Sequence, residues 1–237
     1  MADIDGAPQA DQLPATIDNG AMALGTVEGD ISPGDMRLPR LQIAYGVGGL
    51  AEHFHPGDLV LGGEDLLAKK GDPINMIILS AKQYWKEYLS KDQLDARETP
   101  RTFVTEAEVL AVGGTTRWAN NVGPTFNRAM HLKLLIEQPK DVISGMFGIA
   151  IGEKTYAPAV WDVDKSAYRR VGPAVLTAAS FSLRARGLLS GVFQLSTRLE
   201  KINDHITPVP TIKLIGHNDE NAVKEIIQIF NPAEAPF

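Results

Sequence analysis

The first clear hydrophobic signal lies at residues 41–45, where Leu41, Ile43 and Tyr45 alternate with Gln42 and Ala44. A period of two predicts a half-buried strand, and Gly46, Gly48 and Gly49 end it. Pro56-Gly57-Asp58 reads as a turn, Leu59 to Leu61 as a short strand and Ile74 to Leu79 as an apolar strand. Residues 81–89 are aromatic and basic and fit either an extension of that strand or a short helix. Residues 90–102 are polar and predict a loop. Thr105 with Glu108 three positions on is a capping-box pattern, so a helix is expected over Thr105 to Val112 with Gly113-Gly114 closing it.

Beyond an irregular stretch at 115–128, Leu132, Leu134 and Ile136 alternate in a strand from His131 to Glu137, and Ile143 to Ile151 reads as another. The longest helix is expected from about Asp164 to Arg186, with Ala167, Val171, Ala174, Val175, Ala178, Phe181 and Leu183 near helical spacing. Gly172-Pro173 is expected to kink it, Gly187 to stop it, and Asp162 and Asp164 to cap its start. Two pairing strands follow, Gly191 to Leu199 and Ile206 to Ile215. Pro208 and Pro210 place the second at an edge. A helix over 219–230 ends the ordered pattern. The element order predicts a mixed α+β chain, mainly antiparallel β, with one long helix and a C-terminal helix. An elaborated OB-fold-like barrel is the architecture expected.

Residues 1–36 carry seven acids and no base, and lack periodicity. They are expected to form a disordered acidic arm, because little apolar surface offsets the entropy of ordering them. Residues 37–230 then form a single OB-like domain, and 231–237 a C-terminal tail. Outside the arm, 23 bases face 22 acids, and residues 82–201 hold 17 bases against 12 acids. The overall charge of −6 therefore leaves room for a basic surface on the body. The absence of cysteine excludes disulfides, thiol catalysis and cysteine zinc sites.

Catalytic patterns are weak. His53 and His55, with Asp58 and Glu64, resemble half of a cupin metal site, since alternate strand residues point the same way. The other histidines supply no second half, so no metal is expected. No nucleophile elbow and no phosphate-binding glycine loop occurs. No enzyme activity and no cofactor are implied.

The aromatic and basic residues interleave. Lys82, Tyr84, Trp85, Lys86 and Tyr88 lie together; Arg97, Arg101 and Phe103 follow, then Arg117, Trp118, Phe126 and Arg128, and later Lys154 and Tyr156. Cations neutralise phosphates and aromatic faces stack on unpaired bases, so this mixture suits single-stranded nucleic acid. The stacking candidates are Tyr84, Trp85, Trp118, Phe126 and Tyr156. The phosphate-binding candidates are Lys82, Lys86, Arg101, Arg117, Arg128 and Lys154.

The ending Glu234-Ala235-Pro236-Phe237 resembles the tails of bacterial and phage single-stranded DNA-binding proteins, which finish in Phe after acidic residues. The body resembles phage proteins encoded beside replication and recombination genes, through Leu38 to Leu41, Pro56 to Asp58, Phe193 to Thr197 and Pro210 to Ile212. The resemblance implies a non-catalytic phage protein with an OB-like fold that protects single-stranded DNA during replication or recombination in the host cytoplasm. Glu234, Pro236 and Phe237 would recruit replication or recombination proteins. No membrane partner is implied, and a homo-oligomer is compatible with this reading. The alternative is a virion structural or accessory protein.

Overall fold

The computed structural model describes residues 38–120, 122–202 and 204–230. The expected acidic arm and the recruiting tail, with Glu234, Pro236 and Phe237, lie outside the described residues. The described chain is mixed α+β and dominated by antiparallel sheet. Its strands are β1 (Leu41–Ile43), β2 (Leu59–Leu61), β3 (Asp65–Ala68), β4 (Ile74–Glu87), β5 (Thr102–Phe103), β6 (Phe126–Glu137), β7 (Ile149–Ile151), β8 (Lys154–Val163), β9 (Gly191–Ile202) and β10 (His205–His217). Its helices are α1 (Lys91–Asp95), α2 (Glu106–Ala111), α3 (Lys165–Thr177) and α4 (Glu220–Phe230).

β1, β2 and β3 form a small sheet. The large sheet has the order β10-β9-β4-β6-β8-β7, with β5 beside the far end of β4. The described pairings run as an open path, with no pairing between β10 and β7. β10 is the edge strand that Pro208 and Pro210 indicated.

The long β4 and β6 form the spine. Ile74, Met76 and Ile78 of β4 share one face with Met130, Leu132, Leu134 and Ile136 of β6 and with Ala159, Trp161 and Val163 of β8. Helix α3 lays Ala167, Val171 and Val175 onto that face. Each buried aliphatic side chain there contributes roughly 1.5–3 kcal/mol by leaving water. On the opposite face, Ile77, Leu135 and Tyr156 pack beneath Ile226 of α4.

The segment 81–87 continues strand β4. Its outward edge is satisfied by Trp85↔Phe103 and Lys86↔Thr102 pairing with β5. The expected loop at 90–102 contains α1, capped reciprocally by Ser90 and Gln93. Thr105 and Glu108 make the predicted capping box of α2. The strand expected over Ile143 to Ile151 forms only at its end, as β7.

β8 is not among the expected strands: its β-branched and aromatic residues Thr155, Tyr156, Val160, Trp161 and Val163 are interrupted by Pro158. Two residues on, the Val160 N–H donates outward to Pro39 O at 3.0 Å. The period of two turns the Pro158 nitrogen to the same outer edge, between β7 and the Arg40–Val160 bridge, where no ladder bond is lost. Helix α3 ends sooner than expected, and Ala178–Ser182 continue it as one wide π turn. Phe181, expected on its core stripe, is exposed.

Candidate nucleic-acid interface

A groove of about 890 Å³ opens where the ends of β4 and β6, the start of α3 and the 115–125 loop meet. The cations lining it are Arg117, Arg128, Lys165 and Arg169. The aromatics are Trp85, Tyr88, Trp118 and Tyr168. Its single carboxylate, Glu106, accepts a 2.6 Å hydrogen bond from Thr116 Oγ1.

The loop is built as a finger. At its base the Thr125 N–H donates to Thr115 Oγ1 at 3.0 Å and the Thr115 N–H to Thr125 Oγ1 at 2.8 Å. Near its tip Ala119 and Val122 exchange two backbone bonds. Trp118 sits between these ties with its ring against Gly123, 69% exposed. An indole this exposed, with one face against Gly123, leaves its other face open.

Trp85 and Arg128 are cross-strand partners. Trp85 is only 9% exposed and packs with Val109 and Phe126 in a small core under α2. From the start of α3 come Lys165, whose backbone is left-handed (φ 50°), and Tyr168 and Arg169 one turn on; all three line the groove. The ring of Tyr168 lies over Gly172, where an added Cβ would meet it at 2.7 Å. Its hydroxyl accepts a 2.6 Å bond from Gln83 Nε2. Lys165 Nζ stands 5.3 Å from the Tyr88 ring centroid. Among the described residues, none of the four groove cations forms an ion pair.

The groove thus gathers Trp85, Arg117, Trp118 and Arg128 from the sequence-based candidates and separates the others. Lys82, Tyr84 and Lys86 point to the opposite face of the sheet, as alternation along β4 requires. Burial and the charge of Asp162 raise the Tyr84 pKa. Lys86 Nζ donates to Asp164 Oδ2 at 2.7 Å. Burial alone would lower the Lys86 pKa, but this bond and the Asp164 charge carry it above its usual value. Asp164 therefore occupies the N-cap position of α3 without the expected capping bond, and Asp162 bonds His131 Nδ1 at 2.8 Å. Arg101 is held by Glu87 through Nε–Oε2 (2.9 Å) and Nη2–Oε1 (2.6 Å) contacts, which keep Glu87 below the usual carboxylate range.

Three expectations need correction. Phe126 is 1% exposed and belongs to the core with Trp85 and Val109, so it has no free face to stack. Tyr156 is 5% exposed beneath α4, and burial together with the Glu137 charge pushes its pKa up to about 12. Lys154, at the other end of β8, pairs with Glu137 at 3.0 Å, away from the groove.

Tyr88 belongs to the aromatic and basic run of the sequence without being among its stacking candidates, and Lys165, Tyr168 and Arg169 are not among the sequence candidates. Nothing in the sequence puts the start of α3 beside Trp85. Around His53 and His55, Asp58 spends its carboxylate on backbone donors. It accepts from the His55 N–H at 2.9 Å and the Lys70 N–H at 3.2 Å. The described residues bring no three His, Asp or Glu side chains together for a metal. No described helix is long and apolar enough to cross a membrane.

Compared with known protein families, curated proteins and solved structures, the chain matches none.

Proposed function

We propose that the protein binds single-stranded DNA in this groove and performs no chemistry on it. The observation that carries the reading is the state of the cations. Lys86, Arg101 and Lys154 are neutralised by carboxylates, whereas Arg117, Arg128, Lys165 and Arg169 surround the exposed rings of Tyr88 and Trp118 and the half-buried ring of Tyr168 without acidic partners among the described residues. Phosphates would displace counterions from such a cluster, while bases stack on Trp118 and Tyr168. In this proposal the sheet serves as the platform that an OB-type barrel offers, and the 115–125 finger flanks the strand. The wider role is that of a phage-type protein coating displaced strands in replication or recombination, in host cytoplasm, with the C-terminal residues recruiting partners.

The test is titration with oligo-dT at two salt concentrations, following tryptophan fluorescence. Four phosphate contacts at about −0.7 each give a log–log salt slope of about −3. A folded protein whose emission and mobility do not respond to oligo-dT at low salt would falsify the proposal.

A further inference from the structure

The groove does not end at its own walls. Tyr88, Asn127 and Lys165 also line a second cavity, of about 130 Å³, which reaches Lys86 and Asp164. Asn127 and Lys86 are cross-strand partners, so this cavity opens onto the sheet face opposite Trp85. On that face Lys82 stands opposite His131 and Lys133 opposite Ser80, one pair further along. Tyr84 lies between Lys82 and Lys86 on the same side, half-buried, with Asp162, Lys86, Asp164 and Arg40 near enough to act on its hydroxyl. Asp164 and Asp162 are occupied by Lys86 and His131, while Lys82 and Lys133 are exposed and form no ion pair among the described residues.

We infer that the groove is one half of a longer path, in which a single-stranded polyanion turns around the end of β4 and β6 across the Tyr88–Lys165 contact and continues over Lys82, Tyr84 and Lys133. This rests on the groove being a single-strand site, and adds the route and the extent of the ligand. From Tyr88 back to Lys82 the strand spans roughly 20 Å at about 3.3 Å per residue. A short oligonucleotide confined to the groove does not cover that length. A flexible single strand can follow the turn, whereas a duplex, with a persistence length of about 50 nm, resists it. The path therefore also selects single strands over duplexes.

The experiment compares oligo-dT of about 4 and about 20 nucleotides, at the lower limit of and beyond the usual site of one small domain. They are titrated into the parent protein and into Lys82→Ala/Lys133→Ala. Expected is a roughly ten-fold loss of affinity for the long oligonucleotide only, with its salt slope reduced by about 1.4. Restoration by Lys82→Arg/Lys133→Arg would show that charge, and not the substitution itself, is read. Equal long-oligonucleotide affinity in parent and variant, or an equal loss at both lengths, overturns the path while short-oligonucleotide binding by the parent upholds the groove. No binding of the short oligonucleotide by the parent removes the groove reading itself.

Discussion

Arg128 holds its guanidinium carbon 5.0 Å from the Trp85 ring centroid, directly opposite it across β4 and β6. The arginine roofs the indole, so Trp85 orients a cation, and in the proposed binding mode Arg128 is the group that meets the strand. A planar guanidinium stacks where an ammonium does not, which makes Arg128→Lys a poor replacement. Arg128→Ala should lower the salt slope of oligo-dT binding by about 0.7 and the melting temperature little, since an exposed cation–π contact is worth roughly 0.5–1 kcal/mol. Trp85→Ala should instead cost about 3–5 kcal/mol of stability, because it empties the small core under α2. Denaturant melts and two-salt titrations separate the two effects.

Trp118 and Phe126 make the complementary pair. Trp118→Ala removes an exposed ring and leaves the Thr115–Thr125 clasp intact. Binding should weaken by about 1–3 kcal/mol with urea midpoint unchanged. Phe126→Ala should behave oppositely, losing about 3–5 kcal/mol of stability. If Trp118→Ala unfolds the protein, the finger is a core element and the assignment of that indole to a ligand is wrong.

Arg101 and Arg117 test whether an existing ion pair removes a cation from the site. Arg101 is committed to Glu87, whereas Arg117 lines the groove without an ion pair among the described residues. Arg117→Ala should lower oligo-dT affinity and slope, and Arg101→Ala should leave both near the parent values. A larger effect at Arg101, measured in the same titration, would place the strand on the other side of β5.

The mixed strand–helix pattern was readable because it depends on short-range periodicity: the alternation in β6, the capping box of α2 and the edge prolines of β10 all lie within a few residues of one another. β8 was not, because the tolerance of Pro158 depends on which edge of the sheet its nitrogen faces, and that is set by Pro39 and β7. The candidate site divided in the same way. Aromatic and basic composition found Arg117, Trp118 and Arg128, but parity along β4 sends Lys82, Tyr84 and Lys86 to the far face, and only tertiary packing brings Tyr168 and Arg169 beside Trp85. Phe126 and Tyr156 have the composition of stackers, and their burial depends on α2 and α4 arriving over them.

Tyr156 supplies a pH prediction. Its folded pKa is about 12, against an unfolded value near 10. The proton is therefore held more tightly when folded, so the contribution is fully present below about pH 10 and is lost as pH rises toward 12. Urea stability should fall across that window, and Tyr156→Phe should flatten the fall. Tyr45 and Tyr84, raised chiefly by burial, contribute in the same direction. A variant that follows the parent curve throughout would show that another group governs alkaline unfolding.

Gly172 offers a variant in which stability and binding part company. Within α3 an alanine is favoured over glycine by about 1 kcal/mol, which alone predicts a stabilised protein. At this position, however, the new methyl would stand 2.7 Å from Cε2 and 2.9 Å from Cζ of Tyr168, too close for either atom to stay. The ring is the part able to move, and moving it breaks the Gln83–Tyr168 bond, a loss of about 1 kcal/mol. The two terms nearly cancel, so the urea midpoint of Gly172→Ala should stay close to that of the parent. The groove does not recover in the same way, because the displaced phenol leaves the groove wall it shares with Lys165 and Arg169. Oligo-dT affinity should drop by up to about ten-fold, the equivalent of one stacked base at the weaker end of its range. The salt slope should hold, since no cation is removed. Unchanged affinity would mean that Tyr168 only fills space between α3 and β4, and a changed slope would mean that Arg169 had moved with it.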